Sequence, residues 1–391
     1  MDSSARARRR AARRRAVQRR RIVALACAAV VATAIAFGLT RVFDPDDSTT
    51  PAAAAAKPVA RAEPRKRTVP TGTVTIAWAG DTVLGSMYGL PPARGRSMLA
   101  NVAPVFRAAD VGWVNLEEVL SNGTTSKCAG ATPGTCFAFG APMSYAATLP
   151  ASGIRIVNLA NNHADDYGAA GQSSTLAALR AAHVAWDGKP GQIEVLRVHG
   201  VRVAFLGFAP YNWASRLDRI PAAVSLVKRA ASLADVVVVA IHAGAEGSTA
   251  DHVPQGTEFF LGENRGNSRA FAHAVIDAGA DLVVGSGPHV IRGVQWYHGK
   301  LIAYSLGNLA GWHTFGMGGT LSESGIITVS LRGDGVIAGG HWTPLLLEEP
   351  GVPVLDAGGR SLALVQQLSR EDFGAAAARF TAAGALVVPR A

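Results

Sequence analysis

Residues 155–171 read RIVNLANNHADDYGAAG. The run opens as an apolar strand and closes on Asn161, Asn162, His163, Asp165 and Asp166, five polar residues out of six. A chain that finishes a buried strand this way and then enters a helical pattern is carrying polar side chains to the strand's end. The plain alternative is a helix N-cap, with Asp165 or Asp166 favouring the helix dipole.

The pattern recurs on both sides. TVTIAWAGD reads as a strand ending in Gly80-Asp81, and VGWVNLE as a strand ending in Asn115-Leu116-Glu117. DVVVVAIH ends at His242, with Glu246 four residues on; DLVVGSGPH ends at His289; LIAYSLGN ends at Asn308. Each piece alone has a bland reading, a turn or a core histidine. Six strand ends carrying Asp, Glu, Asn and His make one convergent site, because ligand sites of open α/β sheets lie beyond the carboxyl ends of the strands.

Between these strands lie helical spacings: SMLANVAPVFRAAD, PMSYAATLPASG, GQSSTLAALRAAH, PAAVSLVKRAASLA and NSRAFAHAVIDAGA. IEVLRVHGVRVAFLGFAP reads as a hairpin turning at His199-Gly200. ESGIITVSLRG and GVIAGGHWTPLLL read as two further strands, and SREDFGAAAARFTAAGA, residues 369–385, as a closing helix. No internal repeat is present. Helix–strand alternation with added hairpins argues an α/β class with partly parallel, buried sheets.

The chain has 391 residues and a net charge of +10, but residues 1–21 hold ten Arg and one Asp, a net of +9. The other 370 residues carry about +1, so the body offers no basic face for nucleic acid. Ile22–Thr40 is nineteen residues without a charge. As a helix it spans about 28 Å, close to the roughly 30 Å hydrocarbon core. The preceding arginines place the tail in the cytoplasm and the body outside. The alternative is a signal peptide cleaved near Ala34-Ile35-Ala36. The predicted organisation is a basic cytoplasmic tail (1–21), a transmembrane anchor (22–40), a Pro/Ala-rich linker (41–72), one α/β domain (73–350) and a partly helical C-terminal extension (351–391).

Of three cysteines, Cys27 lies in the apolar segment. Cys128 and Cys136 share a loop-like stretch, where an oxidising compartment favours a disulfide over two free thiols. Their spacing excludes a Cys-x-x-Cys metal pair. Trp213, Trp296 and Trp312 are candidates for a polymer groove, with packing as the alternative. His183, His199, His273 and His341 read as structural, and Thr257–Asn267 as a loop forming one wall of the site.

Imidazole, carboxylate and amide oxygen together suit divalent metals such as Mn, Fe, Zn or Mg. In order, GDTVLG, NLE, NLANNHADDYG, HAGAE, GADLVVGSGPHV and AYSLGN resemble the successive motifs of the CapA/PgsA family of capsule and poly-γ-glutamate synthesis proteins, over about residues 73–345. The resemblance implies a four-layer αββα, calcineurin-like metallophosphoesterase sandwich outside the membrane. It implies metal ligands at Asp81, Glu117, Asn162, His242 and His289, holding one or two ions (Mn, Fe or Zn). His163 matches a histidine near the leaving group. Asp166 and Glu246 match ligand, base or ligand-orienting carboxylates, and Asn115, Asn161 and Asn308 stand behind the ligands.

The implied activity is metal-dependent hydrolysis of a phosphoester or a γ-glutamyl amide. The alternatives are a non-catalytic polymer-binding subunit and a metal-free sugar- or peptide-binding ectodomain. Implied partners are an anionic surface polymer or its precursor, the membrane, and other synthase or export subunits. The chain departs from the pattern at three places. Val83, not His, stands two residues after Asp81. Ala243 replaces the Trp of a His-Trp-Gly motif. Ser286 and Gly287 stand where family members carry histidines before Pro288-His289.

Overall fold

The computed structural model describes residues 70–389 other than 124 and 133. The chain separates into two units, Met1–Lys66 and Arg67–Ala391, and the described residues belong to the second. The tail, the apolar Ile22–Thr40 segment and nearly all of the linker therefore lie outside the described residues. Among the described residues no helix is long and apolar enough to cross a membrane.

Eight strands form one sheet, in the order β19 (Val352–Leu355), β18 (Ile337–Glu348), β17 (Glu323–Arg332), β1 (Thr73–Val83), β2 (Val111–Leu116), β5 (Ile154–Asn158) and β6 (Ala185–Asp187), with β16 (Asn308–Gly311) beside the end of β1. Seven form the other: β14 (Val294–Tyr297), β15 (Lys300–Ala303), β13 (Leu282–Ser286), β10 (Val236–His242), β8 (Val201–Ala209) and β7 (Glu194–Val198), with β9 (Ser215–Arg216) beside β8. Two small ladders pair β3 (Val119–Leu120) with β4 (Gly140–Ala141) and β11 (Glu258–Phe260) with β12 (Glu263–Gly266).

Alternation along the strands sets the layers. On β1, Val74, Ile76 and Trp78 join Trp113, Phe205, Val236, Val238 and Val284 in one core between the two sheets. Ala77 and Ala79 point the other way, against Phe106, Leu149 and Leu179 of helices α1 (Ala103–Ala108), α2 (Thr148–Ala151) and α3 (Gly168–Ala181). On β10, Val237, Val239 and Ile241 turn outward onto Val227 and Phe271 of α4 (Ile220–Leu233) and α5 (Ser268–Asp277). Central strands buried on both faces explain their near-continuous apolar runs. Trp78 and Trp113 meet edge-to-face, with centroids 4.6 Å apart, at the middle of the inter-sheet core.

The hairpin turns at His199 (φ 47°) and Gly200 (φ 81°), two left-handed residues that match the twist of β7 and β8. Three helical expectations shorten. Only Ala103–Ala108 of 97–110 is α-helical, because Pro104 suits a first turn and not an interior. Residues 142–153 give a 3₁₀ turn and the single-turn α2. The closing helix is α6 (Arg360–Phe373), which starts earlier and stops at Gly374 (φ 53°); the Ala-rich stretch beyond it is not α-helical.

The boundary drawn at residue 350 has no counterpart in the fold. β19 pairs with β18, and Leu362, Val365 and Leu368 of α6 enter the inter-sheet core together with Phe380 and Leu386.

Candidate functional site

The site forms where parallel strands of both sheets end. Register alone brings its residues together: Asp81 lies opposite Asn115 on one side and Asn308 on the other, Asn115 opposite Asn158, and His242 opposite Ser286. A β-bulge at Asp81 turns its side chain out of the β1 alternation. Gly80 is required there, since a Cβ would stand 2.1 Å from the Gly307 carbonyl oxygen.

An amide network fixes the carboxylate. Asn115 Nδ2 donates to Asp81 Oδ1 at 2.8 Å, while Asn115 Oδ1 accepts from Asn158 Nδ2 at 2.8 Å and from Asn161 Nδ2 at 3.2 Å. Asn161 also donates to the Leu116 carbonyl and accepts from the His163 amide. Asn115 and Asn161 thus hold the Asp81 carboxylate and the end of β2 in place. Asn158 belongs with them and was not singled out. Its signal is an amide closing the apolar run Ile156-Val157 of β5.

Asp81, Glu117 and His289 each offer a ligand atom within 4.8 Å of the others. Asp81 Oδ2 lies 3.1 Å from His289 Nδ1 and accepts from the Gly287 amide at 3.0 Å. Asn308 Oδ1 holds His289 Nδ1 at 2.8 Å. His242 is in the cluster too, 3.6 Å from both Asp81 Oδ1 and Glu117 Oε1. His289 has a left-handed backbone, φ 61°, unusual for a non-glycine residue and typical of strained functional positions.

The electrostatics follow from burial and charge. Burial works against a charge on Asp81, but the imidazoles of His242 and His289 hold the carboxyl well below its usual range. Glu117 is pushed well above the usual range by burial and by the Asp81 charge. Burial opposes the charge on His289, yet Glu117, Asp81 and Glu246 push it up to about 10.

The donor set fits a divalent cation. Both Glu117 oxygens and Asn162 Oδ1 are buried and lack any hydrogen-bond partner. Orphaned buried acceptors cost free energy unless something positive satisfies them. Carboxylate, amide oxygen and imidazole are hard-to-borderline ligands, and no thiolate is near.

A cavity of about 490 Å³ opens over this floor. Asn162, His163, Glu246, Arg265 and His289 line its polar side, and Phe137, Phe139, Leu261 and Phe315 its apolar side. Phe139 stacks on His163 at 3.9 Å. The segment 257–267 does form a wall, through Phe260, Leu261, Glu263 and Arg265.

Two of the carboxylates expected to be catalytic behave differently. Glu246 reaches the cavity, with Oε2 3.8 Å from His289 Nε2 and Oε1 2.5 Å from Arg265 Nη1. Asp166 does not. It is fully buried, and its oxygens are taken by His163 Nδ1, the Phe139 amide and Lys127 Nζ, each at 2.7 Å. It orients His163 and does not itself line the cavity.

Cys128 and Cys136 are bonded to each other, with Cα atoms 5.6 Å apart. Trp213 donates to the Asn161 carbonyl at 2.9 Å, while Trp296 and Trp312 pack against the cores; none of the three lines the cavity. Glu118 and Arg265 were also missed. Glu118 accepts from the Gly85 amide at 2.9 Å and is raised to about 8 by burial. Arg265 sits in the wall segment, where no motif marks it.

Sequence comparison defines the class. The model of the bacterial capsule synthesis protein family PGA_cap matches residues 75–311, and the chain belongs to that family. It is 28% identical over 272 residues to the PGA biosynthesis protein CapA of Bacillus subtilis, covering 64% of this chain and 67% of that protein. It is 33% identical over 205 residues to the capsule biosynthesis protein CapA of Bacillus anthracis, covering 47% of this chain and 46% of that one. The chain thus spans less than half of the second relative. A 5'-nucleotidase structure from Staphylococcus aureus, in complex with alpha-ketoglutarate, aligns over 76% of this chain and 58% of that one, with 13% identity and a TM-score of 0.44.

Proposed function

We propose that this capsule-synthesis family member is a metal-dependent hydrolase acting outside the cytoplasm on an anionic surface polymer or its precursor, at a phosphoester or a γ-glutamyl amide. The observation that carries this reading is Glu117: a buried carboxylate with both oxygens unpartnered, beside Asp81 and His289 on the floor of an open cavity. The two facing sheets with helices outside them accord with the αββα metallophosphoesterase-like sandwich that the family resemblance implies.

Asp81, Glu117, His289 and Asn162 would hold the ion, which supplies Lewis-acid stabilisation of negative charge and makes water more acidic. The protein's own groups do the rest. With Nδ1 committed to Asp166, His163 exchanges a proton with substrate at Nε2. Burial, opposed by Asp166, lowers its pKa and leaves that nitrogen free to accept a proton at neutral pH. Phe139 fixes the ring plane, and Phe137, Leu261 and Phe315 keep water off one side of the cavity.

Ile22–Thr40 would anchor the chain in the membrane with residues 1–21 in the cytoplasm and residues 41–72 spacing the domain from the surface. Membrane fractionation and protease accessibility of intact cells test this part; a domain protected from external protease removes it.

The activity is tested by metal content and turnover of an activated phosphodiester and a γ-glutamyl anilide, beside Asp81→Ala and His289→Ala. Metal and turnover lost together in both variants support the reading; equal turnover in all three proteins ends it. A second reading, a non-catalytic polymer-binding subunit, is favoured by the residues at 286 and 287, where family histidines are absent. Polymer retention by both variants with no turnover in any form selects it.

A further inference from the structure

Beside the Asp81–Glu117–His289 group stands a cation that no motif announces. Arg265 is 1% exposed, held in the short strand β12 that runs along the cavity wall. Its Nη1 donates to Glu246 Oε1 at 2.5 Å, and its Nη2 points at His242 Nε2 at 3.4 Å. A guanidinium stays protonated and has no acceptor. It stands against His242 Nε2, while on the other side of the ring Nδ1 has Asn115 Nδ2 at 3.2 Å and Ser286 Oγ at 3.3 Å. Ser286 Oγ in turn donates to the Ile241 carbonyl at 3.4 Å. Both ring nitrogens of His242 are spoken for by the protein.

The second half of a two-ion centre is also closed sterically. At position 287 the backbone has φ 110°, and a Cβ would meet His242 Nε2 and the Ala243 amide at 3.1 Å each. A side chain there, a histidine ligand included, would be strained at this φ and would press on His242. Ser286 offers a hydroxyl already bonded to its neighbours. The charge count agrees: Asp81, Glu117 and Glu246 carry three negative charges when ionised, matched by one divalent ion and Arg265. A second divalent ion would sit against the guanidinium with no anion left to balance it.

Building on the metal-site reading above, we propose that this chain binds a single divalent ion, at Asp81, Glu117 and His289, and that the Arg265 guanidinium permanently occupies the place of a second ion. His242 is then a positioning residue that links Arg265 to Ser286, not a metal ligand.

The test is metal stoichiometry of the full chain loaded with Mn²⁺, by plasma mass spectrometry after desalting, with electron paramagnetic resonance of the same samples. A lone Mn²⁺ gives six hyperfine lines; two neighbouring ions give a spin-coupled spectrum. The wild type is expected to hold one ion per chain with the uncoupled signal. His242→Gln should keep that ion, and Asp81→Asn should lose it. Arg265→Met, which frees His242 Nε2 and Glu246, should admit a second ion and the coupled spectrum. Two coupled ions in the wild type, or loss of the ion in a folded His242→Gln, overturn the inference and leave the metal reading intact. No ion in folded wild type after loading removes both. If Arg265→Met does not fold, Arg265→Gln serves: it keeps a polar side chain but removes the charge, and retention of a second ion is expected. A folded variant of either kind still limited to one ion overturns the role given to Arg265.

Discussion

His163 Nδ1 and Asp166 Oδ2 lie 2.7 Å apart, and both ends of the disulfide loop close on the same carboxylate. Lys127, next to Cys128, pairs with Asp166 Oδ1, and the Phe139 amide donates to Oδ2 while the Phe139 ring covers His163. One buried acid thereby sets the tautomer, the tilt and the cover of the histidine. Asp166→Asn leaves a single acceptor for three donors. On the proposed hydrolase reading, turnover is expected to fall by up to the about 10²- to 10⁴-fold that a positioned acid–base group contributes, with metal content unchanged. Parallel loss of metal would show that Asp166 supports the whole floor and not His163 in particular.

The disulfide closes a short segment, with the cysteines eight residues apart. On the chain-entropy account a loop of this size contributes about 2.5 kcal/mol. Cys128→Ser/Cys136→Ser is expected to lower the unfolding free energy measured by urea titration by about that amount and to reduce turnover less than Asp166→Asn, because Lys127 and Phe139 keep their own bonds to Asp166. Unchanged stability would mean that this loop opens before the rest of the domain.

Much of this site is legible in the sequence because each polar cluster ends a strand whose interior is unmistakably apolar. Asp81, Asn115, Glu117, Asn162, His163, His242, Glu246, His289 and Asn308 are marked by that punctuation, and parallel register then gathers them. The exceptions share a cause. Arg265 sits in the four-residue strand β12, too short for a period to carry information, and its burial comes with contacts to Glu246 and His242, distant in the chain. Lys127 and Phe139 act through Asp166 from either end of a loop. The helix boundaries were lost at Pro104 and Gly374, where local backbone chemistry overrode an Ala-rich or apolar pattern.

Asp187 ends β6 in full burial with neither oxygen hydrogen-bonded, and burial pushes its carboxyl well above the ordinary value of 3.8, Trp113 only partly opposing it. The folded state therefore keeps a proton that the unfolded chain has lost. Stability tied to that proton is fully present below pH 3.8 and declines as pH rises toward the folded value, by about 1.4 kcal/mol per pH unit crossed. Asp187→Asn mimics the protonated form and removes this slope. Its unfolding free energy relative to wild type is expected to be near zero change at pH 3.5 and to rise toward neutral pH. Urea titrations at several pH values check it, and a difference independent of pH contradicts the raised pKa.

Arg292 and Glu258 form the other buried ion pair of the domain's functional end. Two parallel bonds of 2.9 and 2.6 Å join them, and Arg292 also donates to the carbonyls of Ala250 and Ala245. Glu258 in turn accepts from the Ala245 amide, so the segment that carries Glu246 is closed onto β11 by one guanidinium. Gly244 makes room for it: a Cβ there would stand 2.7 Å from Arg292 Nη1. Arg292→Met strands a buried carboxylate and is expected to cost about 3–5 kcal/mol. Replacing both partners, Arg292→Met/Glu258→Leu, removes the stranded charge and should cost clearly less than the sum of the single changes. Urea unfolding of the four proteins measures the coupling. Additive losses would mean that the two side chains stabilise the loop separately, through the carbonyls and the amide, and that their mutual attraction contributes little.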